Sequence, residues 1–360
     1  MMSDLFPYNG ILPWLERGLI LLVTHGSHAY GLNTPSSDLD IKGIAIPPRE
    51  YFLGFAHTFD QAISNEPDLV VFELRKFCRL AAECNPNIIE ILFGDESNHR
   101  LVTPPGRRLL DARDLFLSKK ARHTFSGYAH AQLKRIKTHR RWLLSPVETA
   151  PTRKQFGLPE RTVIPADQLA AAQSAIEKKL ASWNFDDLSG VEPADRIRLQ
   201  TAMAEMMAEM YITANEQYAA AARSIGYDEN FLRLLDLERQ YKARKTEFEQ
   251  YQHWKLTRNA SRAEIEAKYG YDTKHAMHLV RLMRMAREIL EHGKVIVRRP
   301  DREELLAIRN GAWSYDRLIE WAEVQDGALQ DVYASSPLRH TADRVALDRL
   351  CVSIVEEALS

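Results

Sequence analysis

The run Leu19–His25 (LILLVTH) is apolar and branched until Gly26-Ser27 closes it, the pattern of a buried strand turning into a helix. Asp38–Ile46 (DLDIKGIAI) alternates polar and apolar positions and predicts a second strand, which Pro47-Pro48 stops. Leu69–Phe72, after Pro67-Asp68, predicts a third. The period then changes. Glu73–Cys84 spaces Leu74, Phe77, Leu80 and Ala81 helically, and Asn85-Pro86 breaks that helix and caps the next over Asn87–Phe93. Beyond Arg107 the period is helical throughout, over Leu115–Leu144, Asp167–Trp183, Pro193–Ser224, Asn230–Trp254 and Arg262–Glu291. Ser145–Ala166, with its prolines and Gly157, reads as a loop. The expected fold class is α+β, a small mixed-sheet head (1–115) followed by a larger α-helical body (116–360).

Composition narrows the class. Lys+Arg number 48 against 49 Asp+Glu, and a net charge of −1 with 27% charged residues excludes a disordered polyelectrolyte. No stretch approaches about 18 consecutive apolar residues, so no membrane span is expected. Met1 to Pro13 lacks a basic region followed by an apolar run, so no leader is expected there. Cys78, Cys84 and Cys351 cannot build a disulfide framework, which fits a reduced, cytoplasmic setting. With a neutral total, any pull on nucleic acid must come from a local patch.

The chemistry concentrates in His25-Gly26-Ser27-His28-Ala29-Tyr30-Gly31, followed by Ser36-Ser37-Asp38-Leu39-Asp40. A Gly-Ser at a strand-to-helix turn lets backbone N–H groups approach a phosphate, and the hydroxyl adds a further donor. Asp38 and Asp40, two apart on a predicted strand, would point to one face. Two carboxylates beside a phosphate-cradling turn can hold magnesium against a triphosphate, because magnesium takes oxygen ligands at about 2.0–2.1 Å and bridges carboxylates to substrate phosphates.

Gly26-Ser27, ten residues, then Asp38-x-Asp40 resembles the signature of the DNA polymerase β nucleotidyltransferase superfamily. The longer string GSHAYGLNTPSSDLDIKGI resembles its RNA-repair branch, as do NPNIIEIL (85–92), FSGYAHAQLKRI (125–136), YDTKHAMHLVRLMR (271–284) and IRNG (308–311). The resemblance implies a polymerase β-like head and transfer of a nucleoside monophosphate from an NTP to a hydroxyl. It implies two Mg2+ ions held by Asp38, Asp40 and a third carboxylate on a later strand. Asp68 fits that third place best, ahead of Glu73 and Glu66. Two such ions about 4 Å apart would clamp the attacking and leaving oxygens. Gly26 and Ser27 would contact the phosphates.

Two basic segments bear on substrate. Leu115–Val147 holds eight Lys/Arg and three His with no acid, and Lys134, Arg135 and Lys137 are candidates for binding the acceptor. Lys274, His278 and Arg281, at i, i+4 and i+7, form one helix face suited to an anion, with Leu279, Leu282 and Ala286 as the core stripe beside it. The resemblance implies RNA, a tRNA or a broken 3′ end, as acceptor. A protein or small-molecule hydroxyl, or a silent nucleotide- or RNA-binding regulator, are the alternatives.

Overall fold

A computed structural model describes residues 12–35, 37–162, 164–183 and 214–359. Ser36, most of the Pro193–Ser224 helix read from the sequence and nearly all of the N-terminal stretch judged for a leader lie outside the described residues. By contact the chain divides into two units, residues 1–144 with 259–360 and residues 145–258. That grouping joins helices of the sequence-read second half to the sheet.

The first unit is built on a five-stranded mixed sheet, β1 (Leu19–His25), β2 (Asp40–Ala45), β3 (Gln61–Asn65), β4 (Asp68–Glu73) and β5 (His99–Val102), in the order β3-β4-β2-β1-β5. β2 and β4 run parallel, and the other pairs are antiparallel. The head is the α+β arrangement expected. β1 is buried almost throughout, which explains its unbroken apolar run. A bulge between Leu19 and Leu21 shifts its alternation, so Leu19 and Leu22 join one apolar cluster while Ile20, Leu21 and Val23 join the other.

Helices follow as the sequence patterns indicate. α1 (Gly26–Tyr30) leaves the end of β1, α2 (Glu50–Leu53) is a single turn, and α3 (Leu74–Ala82) follows β4. The Glu73 carboxylate caps α3, accepting the Arg75 and Lys76 N–H groups, and the Asn85 side chain caps α4 (Pro86–Leu92). Then come α5 (Pro104–Asp111) and the long α6 (Ala121–Leu144).

The second unit contains α7 (Ala166–Trp183), α8 (Ala214–Ser224) and α9 (Glu229–Thr257) around Ala172, Ile176, Ala221, Ala222, Leu232 and Leu235. In this unit Arg153 pairs in two-pronged fashion with the buried Glu238.

Back in the first unit, the single helix expected over Arg262–Glu291 is two, α10 (Ala260–Tyr269) and α11 (Thr273–His292). Gly270 takes φ +76° and ends α10, its carbonyl accepting from Arg140, and Asp272 caps the start of α11. α12 (Arg302–Arg309), α13 (Tyr315–Ser335) and α14 (Arg344–Leu359) complete the unit. α11 packs chiefly on α6, and its core stripe of Leu279, Leu282 and Ala286 is buried as expected. No helix among the described residues is long and apolar enough to cross a membrane.

Candidate active site

β1 pairs with β2 so that His25 faces Asp40, and β2 pairs with β4 so that Ile41 faces Leu69. The two registers place Asp40 at the end of its strand, next to the Gly26-Ser27 turn on one side and Asp68 on the other. Gly26 adopts φ +64°, and a Cβ there would fall 1.9 Å from Asp40 Oδ2, so the turn admits only glycine against that carboxylate.

Asp38 departs from the expected common strand face. β2 begins at Asp40, because β1 ends at His25 and leaves residues 38 and 39 without a partner strand; Asp38 sits on the exposed loop that enters β2. That loop is held by Ser37, whose hydroxyl accepts from the Thr34 N–H at 2.8 Å and whose carbonyl lies 3.4 Å from His28 Nε2. Of the three candidates for a third carboxylate, Asp68 shares a hydrogen bond with Asp40. Glu73 is committed to capping α3, and Glu66 lies exposed before β4.

The carboxylates crowd one another. Partial burial, then the hydrogen bond and charge of Asp68, raise the Asp40 pKa from 3.8 to about 6, against the pull of Lys42. Asp40 and Asp68, close enough to share a proton and with the charge of Asp38 nearby, offer oxygen donors of the kind that would suit a divalent metal. The folded pKa stands above the unfolded one, so the contribution of Asp40 to metal-free stability is full below about pH 4 and is lost as pH rises through about 6. Magnesium, if it binds through Asp40, would have to displace that proton. Its affinity, followed calorimetrically, is expected to climb up to about tenfold per unit toward pH 6 and then level off, with Asp68→Asn moving the rise to lower pH.

Asp38 and Asp40, but not Asp68, line a cavity of about 500 Å3. Gly26 and Ser27 line it too, together with the cationic Lys42, Arg135, Arg262, Lys274 and Arg309. Burial, then the charges of Arg262 and Arg309, lower the pKa of Lys274 against the opposing pull of Asp272 and Asp38. Lys274, His278 and Arg281 do share a face and all reach the cavity, but with different chemistry. His278 is held neutral by burial and by Arg281 and Lys274, so it offers a ring N–H and no charge.

Arg281 is buried and ion-paired to Glu90, and its guanidinium lies 3.8 Å from the centre of the Tyr30 ring. Tyr30 donates to Glu90 at 2.5 Å, and His25 stands 3.6 Å from the same carboxylate. Three segments distant in sequence are thereby tied behind the Gly-Ser turn.

Among the acceptor candidates, Lys134, Arg135 and Lys137 are all exposed on α6, and only Arg135 lines the cavity. Earlier basic residues of that stretch are used internally: Lys120 pairs with Glu83, and Arg122 with Asp326 at 3.0 Å. Sequence reasoning missed Lys42, Arg262 and Arg309 as cavity residues. Arg309 belongs to the IRNG segment and Lys42 follows Asp40 by one alternation, whereas Arg262 carried no local signal.

Comparison with known proteins reaches part of the chain. The uncharacterized protein YcgL of Bacillus subtilis (strain 168) is 31% identical over 80 residues, which cover 21% of this chain and 31% of that relative. No solved structure matches. Residues 15–149, the part of the chain that carries the sheet, the Gly-Ser turn and the carboxylates, match the family model described as the RNA repair pathway DNA polymerase beta family.

Proposed function

We propose that this protein is a magnesium-dependent nucleotidyltransferase that moves a nucleoside monophosphate from an NTP to an acceptor hydroxyl, with RNA (a tRNA or a damaged 3′ end) as the acceptor. The observation that carries this reading is one cavity lined both by Asp38 and Asp40 beside the Gly-Ser turn and by a group of cationic side chains. Phosphates of a bound NTP would satisfy Arg262, Lys274 and Arg309, while the backbone and hydroxyl of Gly26-Ser27 approach them from the other side. His278, neutral, would donate a hydrogen bond to a phosphate oxygen.

Asp38, Asp40 and Asp68 would hold the magnesium, which neutralises the charge of the leaving pyrophosphate and makes the acceptor hydroxyl more acidic when bound. Arg281, with its charge committed to Glu90, is read here as a residue that positions the turn rather than one that touches phosphate. Exposed Lys134, Arg135 and Lys137 would follow the acceptor backbone, and their contribution should weaken with salt.

A binding experiment tests the nucleotide half of the proposal. A non-hydrolysable NTP should bind in the presence of Mg2+, and Lys274→Ala and Arg309→Ala should each weaken it by about tenfold or more, roughly 1.4 kcal/mol or above for a charged hydrogen bond to phosphate. Unchanged affinity in both variants would remove Lys274 and Arg309 from the nucleotide site.

A further inference from the structure

α6, α10 and the start of α11 bring together a second group of metal-ligating side chains with no part in the transfer scheme. His139 on α6, Glu266 on α10 and Asp272 at the start of α11 each offer a donor atom, all within 4.8 Å of one another. His139 Nδ1 is 3.4 Å from Glu266 Oε1. Metal–ligand bonds of about 2.0–2.2 Å place the donors of a tetrahedral site about 3.3 Å apart, so this pair already stands at a ligand–ligand spacing.

Charge and burial point the same way. Glu266 and Asp272 are 2% and 1% exposed, two carboxylates taken out of water side by side. Asp272 Oδ1 accepts the His275 N–H and caps α11, whereas Asp272 Oδ2 is buried, makes no hydrogen bond and faces the group. Two other residues approach Oδ2. His275 Nε2 lies at 3.5 Å. Arg262 Nη1, at 3.7 Å, is beyond hydrogen-bond reach of Asp272 and spends its nearest contact on His275 at 3.0 Å.

We propose that His139, Glu266 and Asp272 form a second metal site, one that takes a divalent transition-metal ion of the zinc class and is separate from the carboxylates of the head. An imidazole nitrogen with two carboxylates suits zinc or its neighbours better than magnesium, which prefers oxygen donors and keeps its waters. Three protein ligands leave a fourth position for water. The ion would join α6, α10 and α11, the elements that carry Arg135, Arg262 and Lys274 to the cavity, and so fix the spacing of three cations that otherwise repel. The site stands independently of the transfer reading.

Cobalt(II) is the probe. The full chain carrying Asp38→Ala and Asp40→Ala, which removes two of the three other candidate metal ligands, is stripped with a chelator and titrated with Co2+. The expected result is one equivalent bound with the strong visible absorption of a tetrahedral site, bleached by Zn2+ and unaffected by excess Mg2+. Adding His139→Ala, or Glu266→Gln should the first fail to fold, should weaken Co2+ and Zn2+ by at least about tenfold, with metal-free far-ultraviolet dichroism unchanged. Absence of stoichiometric Co2+ binding in the Asp38/Asp40 background would overturn the proposal, as would binding indifferent to both substitutions.

Discussion

Asp38→Ala with Asp40→Ala is expected to lower nucleotidyl transfer by at least about a hundredfold, roughly 3 kcal/mol of barrier, while leaving the fold intact. Asp38 lies on an exposed loop and Asp40 at the open end of its strand, so neither substitution leaves a hole in the core. Stability should move in the opposite direction. Asp40 ionises only with difficulty beside Asp68, its pKa raised to about 6, and ionising it at pH 7 costs the metal-free protein free energy. After allowance for solvent screening of a half-exposed group, Asp40→Asn should stabilise the metal-free chain by about 1 kcal/mol in a denaturant titration at pH 7, an advantage that disappears below about pH 4. A variant more stable and far less active would mark these carboxylates as held together for chemistry.

The largest stability effect is expected at Glu90. This carboxylate, 2% exposed, receives Tyr30 and Arg281 from segments 60 and 191 residues away in sequence, and Arg281 itself is 4% exposed. Glu90→Ala would strand a buried guanidinium and should cost about 3–5 kcal/mol. Replacing both partners, Glu90→Leu with Arg281→Met, should recover most of that loss, because two apolar groups need no counter-charge. Denaturant midpoints of the single and double variants check this. Failure of the double replacement to recover stability would mean that the network is worth more than the burial of its charges.

The parts of the fold that could be read from sequence were those where one residue pattern had one structural meaning. β1 was legible because every position but Thr24 is fully buried, and the cap at Asn85 and the stop at Pro47-Pro48 are local chemistry. β3 and β5 were not: β3 is an edge strand that buries only Ala62, and β5 has four residues, none fully buried. The break at Gly270 hid inside an uninterrupted helical period, since the carbonyl of that turn is satisfied by Arg140, 130 residues earlier.

The site divides along the same line. Gly26, Ser27, Asp38 and Asp40 declare themselves within fifteen residues of sequence, and Lys274 and His278 by their helical spacing. What remained hidden was every property set by a distant partner: the neutrality of His278, the pairing of Arg281 with Glu90, and the approach of Arg262 and Arg309 to the cavity.

The central claim is transfer of a nucleotide by the carboxylate end of this cavity. Its most direct test is incubation of the purified chain with each α-labelled NTP, Mg2+ and total cellular RNA, beside the Asp38→Ala/Asp40→Ala protein. The account predicts label on RNA with the unsubstituted chain alone, and the NTP that gives it identifies the base. Label on protein instead would contradict the RNA acceptor, and equal label from both proteins would contradict the assignment of the carboxylates themselves.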